Sequence, residues 1–275
     1  MTYKLVEPEI TNIAKATWLV YKDAWNKVST KWEFWAIFLL LVVFFWYVIP
    51  IILIISSIVI QFYLRSTFWK QLAKVNGWQY KDVLLRSFVL ERGRSPVEES
   101  GIMFEQGHGR AITHEIEGVI EGRHFRIFNY QFNVGHGKSR DTYYYTVFHF
   151  KFNGLFPHLY LNNKNNAWSI SAGEKIPLPA EFEKEFSLSA PRKYEIEALE
   201  IFTPDVLAKL LDDNFPHDVE FTGHDVYIFT DGQINNFEQF EKELNYALEL
   251  EDLFDEKLDT HKFQQIGDMP YSLTL

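Results

Sequence analysis

The sequence predicts an α+β protein attached to a membrane, with helices first, then a mainly antiparallel β-sheet, then a long C-terminal helix. Three observations predict it. Residues 35–64 are apolar and carry no charge, residues 111–152 alternate apolar and polar side chains as strands do, and two apolar stripes with helical spacing follow residue 203. A sheet covered by a long helix also agrees in outline with the pleckstrin-homology-like plan, which by itself says little about function.

Charge divides the 275 residues into four segments. Residues 1–34 carry five lysines and four acids, the apolar segment 35–64 carries none, residues 65–94 carry seven cations and two acids, and residues 95–275 carry fifteen cations and thirty-one acids. Because an acidic domain repels phosphate backbones, we expect no nucleic-acid partner. The sequence has no cysteine, which removes disulfides, thiolate nucleophiles and cysteine-ligated metals from consideration.

The first segment, residues 1–34, predicts an amphipathic helix. Aromatic and apolar side chains recur at spacings of three and four at Ala14, Trp18, Tyr21, Trp25, Val28, Trp32 and Trp35, and the lysines fall off this stripe. Aromatic rings beside cations favour the membrane interface, so we expect Trp18, Tyr21, Trp25, Trp32 and Trp35 to lie among lipid headgroups. The same spacing equally suits packing on a partner helix.

Residues 35–64 are long enough to cross a bilayer, which needs about 20 apolar residues. No secretory signal precedes them, so we expect this segment to remain in the mature protein. Pro50 lies at its centre, which leaves two interpretations: one kinked span, or a hairpin with arms at 34–48 and 51–64. The hairpin would place Trp46 and Tyr47 at the far interface and is favoured by cations at both ends, although its arms of about 20 to 22 Å are short.

Residues 65–94 predict a juxtamembrane helix that stops at Gly77, followed by a linker over 86–100. More cations follow the apolar segment than precede it. By the positive-inside rule, we expect a cell-membrane protein whose acidic domain, residues 95–275, is soluble and faces the cytoplasm.

Three antiparallel strands are predicted between Ala111 and Phe152. The first two are joined by a turn at Glu121-Gly122, and a change of the apolar face predicts a bulge near Ile127. Further strands are expected at 158–161, 168–171, 194–202, 218–221 and 226–230.

Two helices complete the predicted domain. Thr203 caps the first, with Pro204 at its first position. Asn236 caps the second, with Gln239 as its capping-box partner, and this helix runs to about Leu258.

Two loops offer the sharpest idea of a ligand site. The string Gly135-His136-Gly137-Lys138-Ser139 ends like a phosphate-binding P-loop, but a strand follows it where that motif needs a helix, so we interpret it as a hairpin loop. A second loop, Gly107-His108-Gly109-Arg110, repeats the pattern. If both loops converge at one end of the sheet, His108, Arg110, His136 and Lys138 would bind an anion; the alternative is two ordinary turns.

No other pattern indicates chemistry. His114-Glu115 lacks a second histidine four positions on, and the remaining histidines share no ligand spacing, so we expect no metal and no cofactor. The pairs His217-Asp218 and His224-Asp225 are neighbours in strands and point to opposite faces. The sequence therefore gives no catalytic residue, and a non-enzymatic protein is the simpler expectation.

The chain resembles uncharacterised bacterial membrane-anchored proteins built around a domain of unknown function. The resemblance spans residues 35–258 and is carried by FWKQLAKVNGWQY, EGVIEGRHFRIFNYQF, YTVFHFKF and PRKYEIEALEIFTPDVLAKLLDD. It implies no site residue. We therefore expect an interaction or scaffolding module with the lipid bilayer and an unknown protein as partners; the alternatives are a small-ligand sensor or enzyme that binds an anion or a lipid.

Overall fold

The computed structural model describes residues 5–8, 10, 12–44, 46, 48–81, 99–170, 173–191 and 194–260. These residues form two compact units. The sheet unit contains Trp78–Ile234 and continues from Lys242, and the helical unit contains Lys4–Gly77 together with Asn235–Glu241. The α+β class predicted from the sequence is confirmed.

The helical unit contains α1 (Ile13–Val28), α2 (Trp32–Phe44) and α3 (Val48–Val75). The Asn12 side chain caps α1 by accepting the Lys15 N–H at 3.0 Å. Pro50 lies in the first turn of α3, where a proline costs no hydrogen bond. The chain leaves α3 at Gly77, which has a φ of 73°, as predicted.

Two boundaries in the helical unit differ from the predictions. The predicted juxtamembrane helix is not separate, because α3 runs without a break from the apolar residues to Val75. The aromatic stripe expected on one helix is divided between α1 and α2 by a turn at 29–31. Tyr47 and residues 82–98, which include most of the predicted linker at 86–100, lie outside the described residues.

The start of α7 (Phe237–Thr260) also belongs to the helical unit. Asn236 caps it, as predicted, by accepting the Gln239 N–H at 2.8 Å. Arg65 Nη2 on α3 donates to the side-chain oxygen of Asn235 at 3.0 Å. Residues of α3 thus hold the segment from which the last helix begins.

Within the described residues, the sheet unit is built on seven antiparallel strands. They are β1 (Gln79–Lys81), β2 (His108–Ile120), β3 (Arg123–Val134), β4 (Asp141–Asn163), β5 (Glu174–Ile176), β6 (Phe186–Ala190) and β7 (Asp218–Asp231). Their order is β1-β2-β3-β4-β6-β5, and β7 pairs with β4. The 23-residue β4 therefore organises the sheet, with β3 along its first half, β6 at its end and β7 along most of its length.

The β2–β3 hairpin turns at Glu121-Gly122, as predicted. Both residues have positive φ, 52° and 85°, the conformation of a two-residue type I′ turn. The predicted bulge lies on the facing strand instead: β3 pairs regularly through Ile127, whereas β2 shifts register between Thr113 and Ile116. His114 lies in this bulge and has a positive φ of 52°.

Both faces of the sheet are buried. A strap, defined here as Glu99–Gln106 and containing a 3₁₀ turn at Met103–Glu105, packs its apolar residues on the first face. The second face meets α5 (Glu195–Ile201), α6 (Pro204–Asp212) and α7, where Phe202, Phe221 and Phe254 form an aromatic cluster. The core of the first face contains Ile102, Met103, Phe104, Ile112, Phe128, Tyr130, Phe132, Tyr145, Val147, Tyr160, Ile170, Tyr227 and Phe229.

Several predicted strands are corrected. Residues 195–201 form α5 and not a strand, and residues 168–170 are not in a strand, while Ser171 lies outside the described residues. The segments 158–161 and 218–221 are parts of the longer β4 and β7. The short strands β1, β5 and β6 and the one-turn helix α4 (Phe182–Glu185) were not predicted.

Candidate functional site

The two glycine-histidine-glycine loops lie side by side at one end of the β2–β3–β4 hairpins. The rings of His108 and His136 stack with centroids 4.8 Å apart and an interplanar angle of 23°. Gly107, Gly109, Gly135 and Gly137 all have positive φ, and a side chain at Gly107 or Gly135 would overlap backbone atoms of the neighbouring strand or loop. Glycine is therefore needed at positions 107 and 135 for the two loops to keep these conformations.

The two cations predicted for this corner have different surroundings. Arg110 is half-buried, and its Nη1 donates to the carbonyl oxygen of Phe104 at 2.6 Å, so it fastens the strap. Lys138 is exposed on the 3₁₀ turn Gly137–Ser139 between β3 and β4. The corner thus presents a stacked histidine pair and one exposed lysine.

A buried carboxylate that the sequence did not indicate holds the strap at its centre. Glu220 on β7 has no exposed surface, and it accepts the backbone N–H groups of Ile102 and Met103. His158 Nε2 lies 2.6 Å from the same carboxylate. Because Gly101 has a φ of 146°, and a side chain there would lie 2.9 Å from the carboxylate, a glycine is needed for this close approach.

An ion-pair network holds the beginning of the strap. Arg126 on β3 contacts Glu99 at 2.8 Å and Glu115 at 3.3 Å, and Tyr227 donates to the second oxygen of Glu99 at 2.9 Å. Burial alone would lower the pKa of Arg126, but these carboxylates raise it overall. Burial also raises the pKa of Tyr227, so both groups keep their protons at neutral pH.

Asp218 is a second buried acid on β7, two residues before Glu220. One of its oxygens accepts the Asn163 N–H at 2.7 Å. Burial raises the pKa of Asp218 to about 7, although hydrogen bonds from the Asn163 N–H and from the side chains of Asn166 and Tyr160 oppose the shift. Asp218 can therefore exchange a proton near neutral pH.

The other histidine–acid neighbours considered in the sequence do not pair with each other. His217 Nε2 contacts Glu243 at 2.8 Å, and Asp225 contacts His149 at 2.7 Å. His224 Nδ1 lies 2.8 Å from the Gly154 carbonyl oxygen. Each of these side chains contacts a residue that is distant in sequence, so the pairs could not be predicted from neighbouring residues.

The five aromatic residues predicted for a membrane interface lie in the helical unit. Four tryptophans are exposed: Trp18, Trp25, Trp32 and Trp35. The half-buried Tyr21 makes a 3.1 Å hydrogen bond with Ser56 of α3. The indole rings of Trp25 and Trp35 meet edge to face at 5.6 Å. Tyr21 therefore contributes to packing between α1 and α3, and the four tryptophans are exposed.

No family model matches the sequence, and no curated protein matches it. Among solved structures, the chain is similar to the crystal structure of the mycobacterial trehalose monomycolate transport factor A, TtfA. The sequence identity is 13% and the TM-score is 0.45, with 70% of this chain and 92% of that chain covered. A likeness at this level transfers neither an activity nor a site residue.

Proposed function

We propose that this protein is a membrane-anchored, non-enzymatic interaction module, in which α3 enters the bilayer and the acidic sheet unit binds a protein partner. The observation that carries the proposal is the surface of α3. Among the described residues, one helix, Ile49–Val75, is long and apolar enough to cross a membrane. Five consecutive side chains, Ile51 to Ile55, are each between 55% and 60% exposed.

Five exposed apolar residues in a row cover the whole circumference of a helix, because one turn takes 3.6 residues. A helix that is apolar all round belongs in a core or in a membrane. Returning one such side chain to apolar surroundings is worth about 1.5 to 3 kcal/mol. The charge-free part of α3, residues 48–64, extends about 26 Å at 1.5 Å per residue, close to the roughly 30 Å of hydrocarbon in a bilayer. The rest of α3 begins at Arg65, which donates to Asn235.

The excess of cations after the apolar segment supports a cytoplasmic position for the sheet unit. Protease protection of a C-terminal tag in intact spheroplasts tests this orientation. A protected tag is the expected result. A cleaved tag would show that the sheet unit lies outside the cytoplasm and would direct the search for partners there.

The polar groups buried in the sheet unit support a binding role over catalysis. Glu220 accepts hydrogen bonds from the strap, and Arg126 forms ion pairs with Glu99 and Glu115. These charged groups therefore stabilise the fold. Crosslinking in native membranes, followed by mass spectrometry, should recover a protein partner through the sheet unit. Recovery of lipids alone, or of no partner, would count against an interaction module.

A second function is favoured by one observation, the stacked pair His108 and His136. The pair and Lys138 would bind a small anion or an anionic lipid headgroup at the corner of the two loops, with Arg110 in support. Inorganic phosphate and pyrophosphate are the probes. If replacing Arg110 and Lys138 by Gln leaves the phosphate-induced thermal shift unchanged, this second function is wrong.

A further inference from the structure

The helix α1 lies against the charge-free part of α3, and contacts at two levels fix how the pair is arranged. At one level, the Ile13 N–H donates to the Asn235 carbonyl oxygen at 3.1 Å. Arg65 of α3 donates to the side chain of the same Asn235 at 3.0 Å. At the other level, Tyr21 of α1 makes a 3.1 Å hydrogen bond with Ser56 of α3. The two helices therefore run antiparallel, and α1 begins at the level of Arg65.

These contacts give the depth of α1 along the apolar part of α3. The two levels are about 12 Å apart along α1 and about 14 Å apart along α3, at 1.5 Å per residue. Residues 48–64 carry no charge, so Arg65 marks the end of the part of α3 that hydrocarbon can surround. If α3 stood upright in a bilayer, Tyr21 would lie about 12 Å inside the hydrocarbon, near the centre of a layer of roughly 30 Å.

The residues that follow Tyr21 on α1 are charged and exposed. Lys22 and Asp23 come directly after it, and the ion pair between Asp23 and Lys27 leaves both side chains more than 60% exposed. Charged side chains near the bilayer centre are costly. A lysine stem reaches only about 6 Å, half the distance back to the headgroups. An upright α3 in lipid is therefore incompatible with the packing of α1 on it.

Two rows of side chains show which side of α1 faces the membrane surface. Trp18 and Trp25 are about two turns apart, as are Lys15 and Lys22, because one turn takes about 3.6 residues. The rows are neighbours, since the Lys22 ammonium lies over the Trp18 ring, 4.8 Å from its centroid. All four side chains are exposed. Indole rings favour the level of the headgroups, and lysines favour an anionic lipid surface.

A helix pair that lies flat in one leaflet agrees with both the depth of α1 and its two rows. We infer that α1 lies in the headgroup layer and binds anionic phospholipids through Lys15 and Lys22, so that α3 enters one leaflet without crossing the bilayer. The inference rests on the proposed membrane anchor and names the lipid that the anchor contacts. Packed helix axes are about 8 to 10 Å apart, so α3 lies beneath α1 in the hydrocarbon of the same leaflet. The exposed apolar side chains of Ile51 to Ile55 are covered there.

Spin labels can measure the depth of both helices in the full-length protein, because the sequence has no cysteine and a single introduced cysteine carries the label. Asn26→Cys places the label on α1 one turn after Lys22, and Ile54→Cys places it on α3. The bilayer is a nanodisc of phosphatidylcholine and phosphatidylglycerol in equal parts. The label at position 26 should collide with a water-soluble nickel chelate about five-fold more often than the label at position 54.

Lipid charge tests the two lysines. A donor dye on the Asn26→Cys variant should transfer energy to acceptor-labelled phosphatidylglycerol about two-fold more efficiently than to acceptor-labelled phosphatidylcholine. Adding Lys15→Gln/Lys22→Gln should abolish this preference. The matched control is Lys175→Gln/Lys184→Gln, which removes the same charge from exposed positions of the sheet unit and should keep the preference. An equal loss in both double variants would show general charge attraction and overturn the inference.

The collision measurements separate this inference from the proposed function. Few nickel collisions at both labels would place α1 in the hydrocarbon or beneath a partner helix, and the inference would be wrong although the membrane anchor stands. Frequent nickel collisions at both labels would show that α3 lies outside the bilayer. The membrane anchor of the proposed function would then fail as well.

Discussion

Replacing Glu220 by Ala should release the strap from the sheet. The change leaves the N–H groups of Ile102 and Met103, together with His158, without their acceptor in a buried site. Each buried polar group that loses its partner costs about 1 to 3 kcal/mol, so the loss of stability for the three groups is about 3 to 9 kcal/mol if the strap stays in place. If the strap opens instead, these groups return to water and the loss is smaller.

Hydrogen exchange of the full-length protein in nanodiscs, read by mass spectrometry on peptides covering residues 99–106, measures this loss locally. A loss of about 3 kcal/mol makes the strap amides exchange more than 100-fold faster. Glu105→Ala is the matched control, because Glu105 is an exposed acid on the same strap. If the two variants exchange within about two-fold of each other, Glu220 does not hold the strap and the reasoning fails.

Three further changes test other parts of the fold. The pKa of Asp218 is raised to about 7 from 3.8, so between these pH values the folded state binds a proton that the unfolded state has lost. The free energy of unfolding should therefore fall by up to about 4 kcal/mol from pH 4 to above pH 7. Urea unfolding of the Asp218→Asn variant should lack this fall. Gly118→Val should destabilise the sheet unit by about 1 to 3 kcal/mol, since its side chain would overlap the Trp78 ring; unchanged unfolding would contradict this packing. Asn236→Ala removes the cap on the Gln239 N–H and should cost about 1 kcal/mol, measured by thermal unfolding; an equal loss in Asn236→Asp, which keeps a cap, would refute the capping role.

Helix starts and tight turns were predicted correctly from the sequence where a residue type strongly favours that one position. Pro204 and Asn236 mark the starts of α6 and α7, and Glu121-Gly122 marks a tight turn. Thr203 lies at the predicted N-cap position of α6, but its side chain makes no capping hydrogen bond and donates to the Asp205 carboxylate instead. The strand predicted at 194–202 is wrong because YEIEALEIF contains both a strand-like alternation and a helical spacing of apolar residues. In the helix, Ala198 and Ile201 face the core while Ile196 remains 72% exposed, and only the tertiary packing decides between the two patterns.

The candidate sites show the same limit. The repeated glycine-histidine-glycine pattern suggested that two loops meet, since each lies at the end of a predicted strand. Nothing local relates His158 to Glu220, which are 62 residues apart. Such contacts follow from the path of β4 and β7 across the sheet, which the sequence pattern does not specify.

The last helix has a consequence for how this protein can evolve. Because α7 begins among residues of the helical unit, with Phe240 edge to face with Trp69 at 5.7 Å, α3 cannot be exchanged for another helix without loss of these contacts. A chimera that replaces α3 would remove the contact of Trp69 with Phe240 and the hydrogen bond from Arg65 to Asn235. Homologues should therefore vary in concert at positions 69 and 240, and recombination that divides the chain near Gly77 should be selected against.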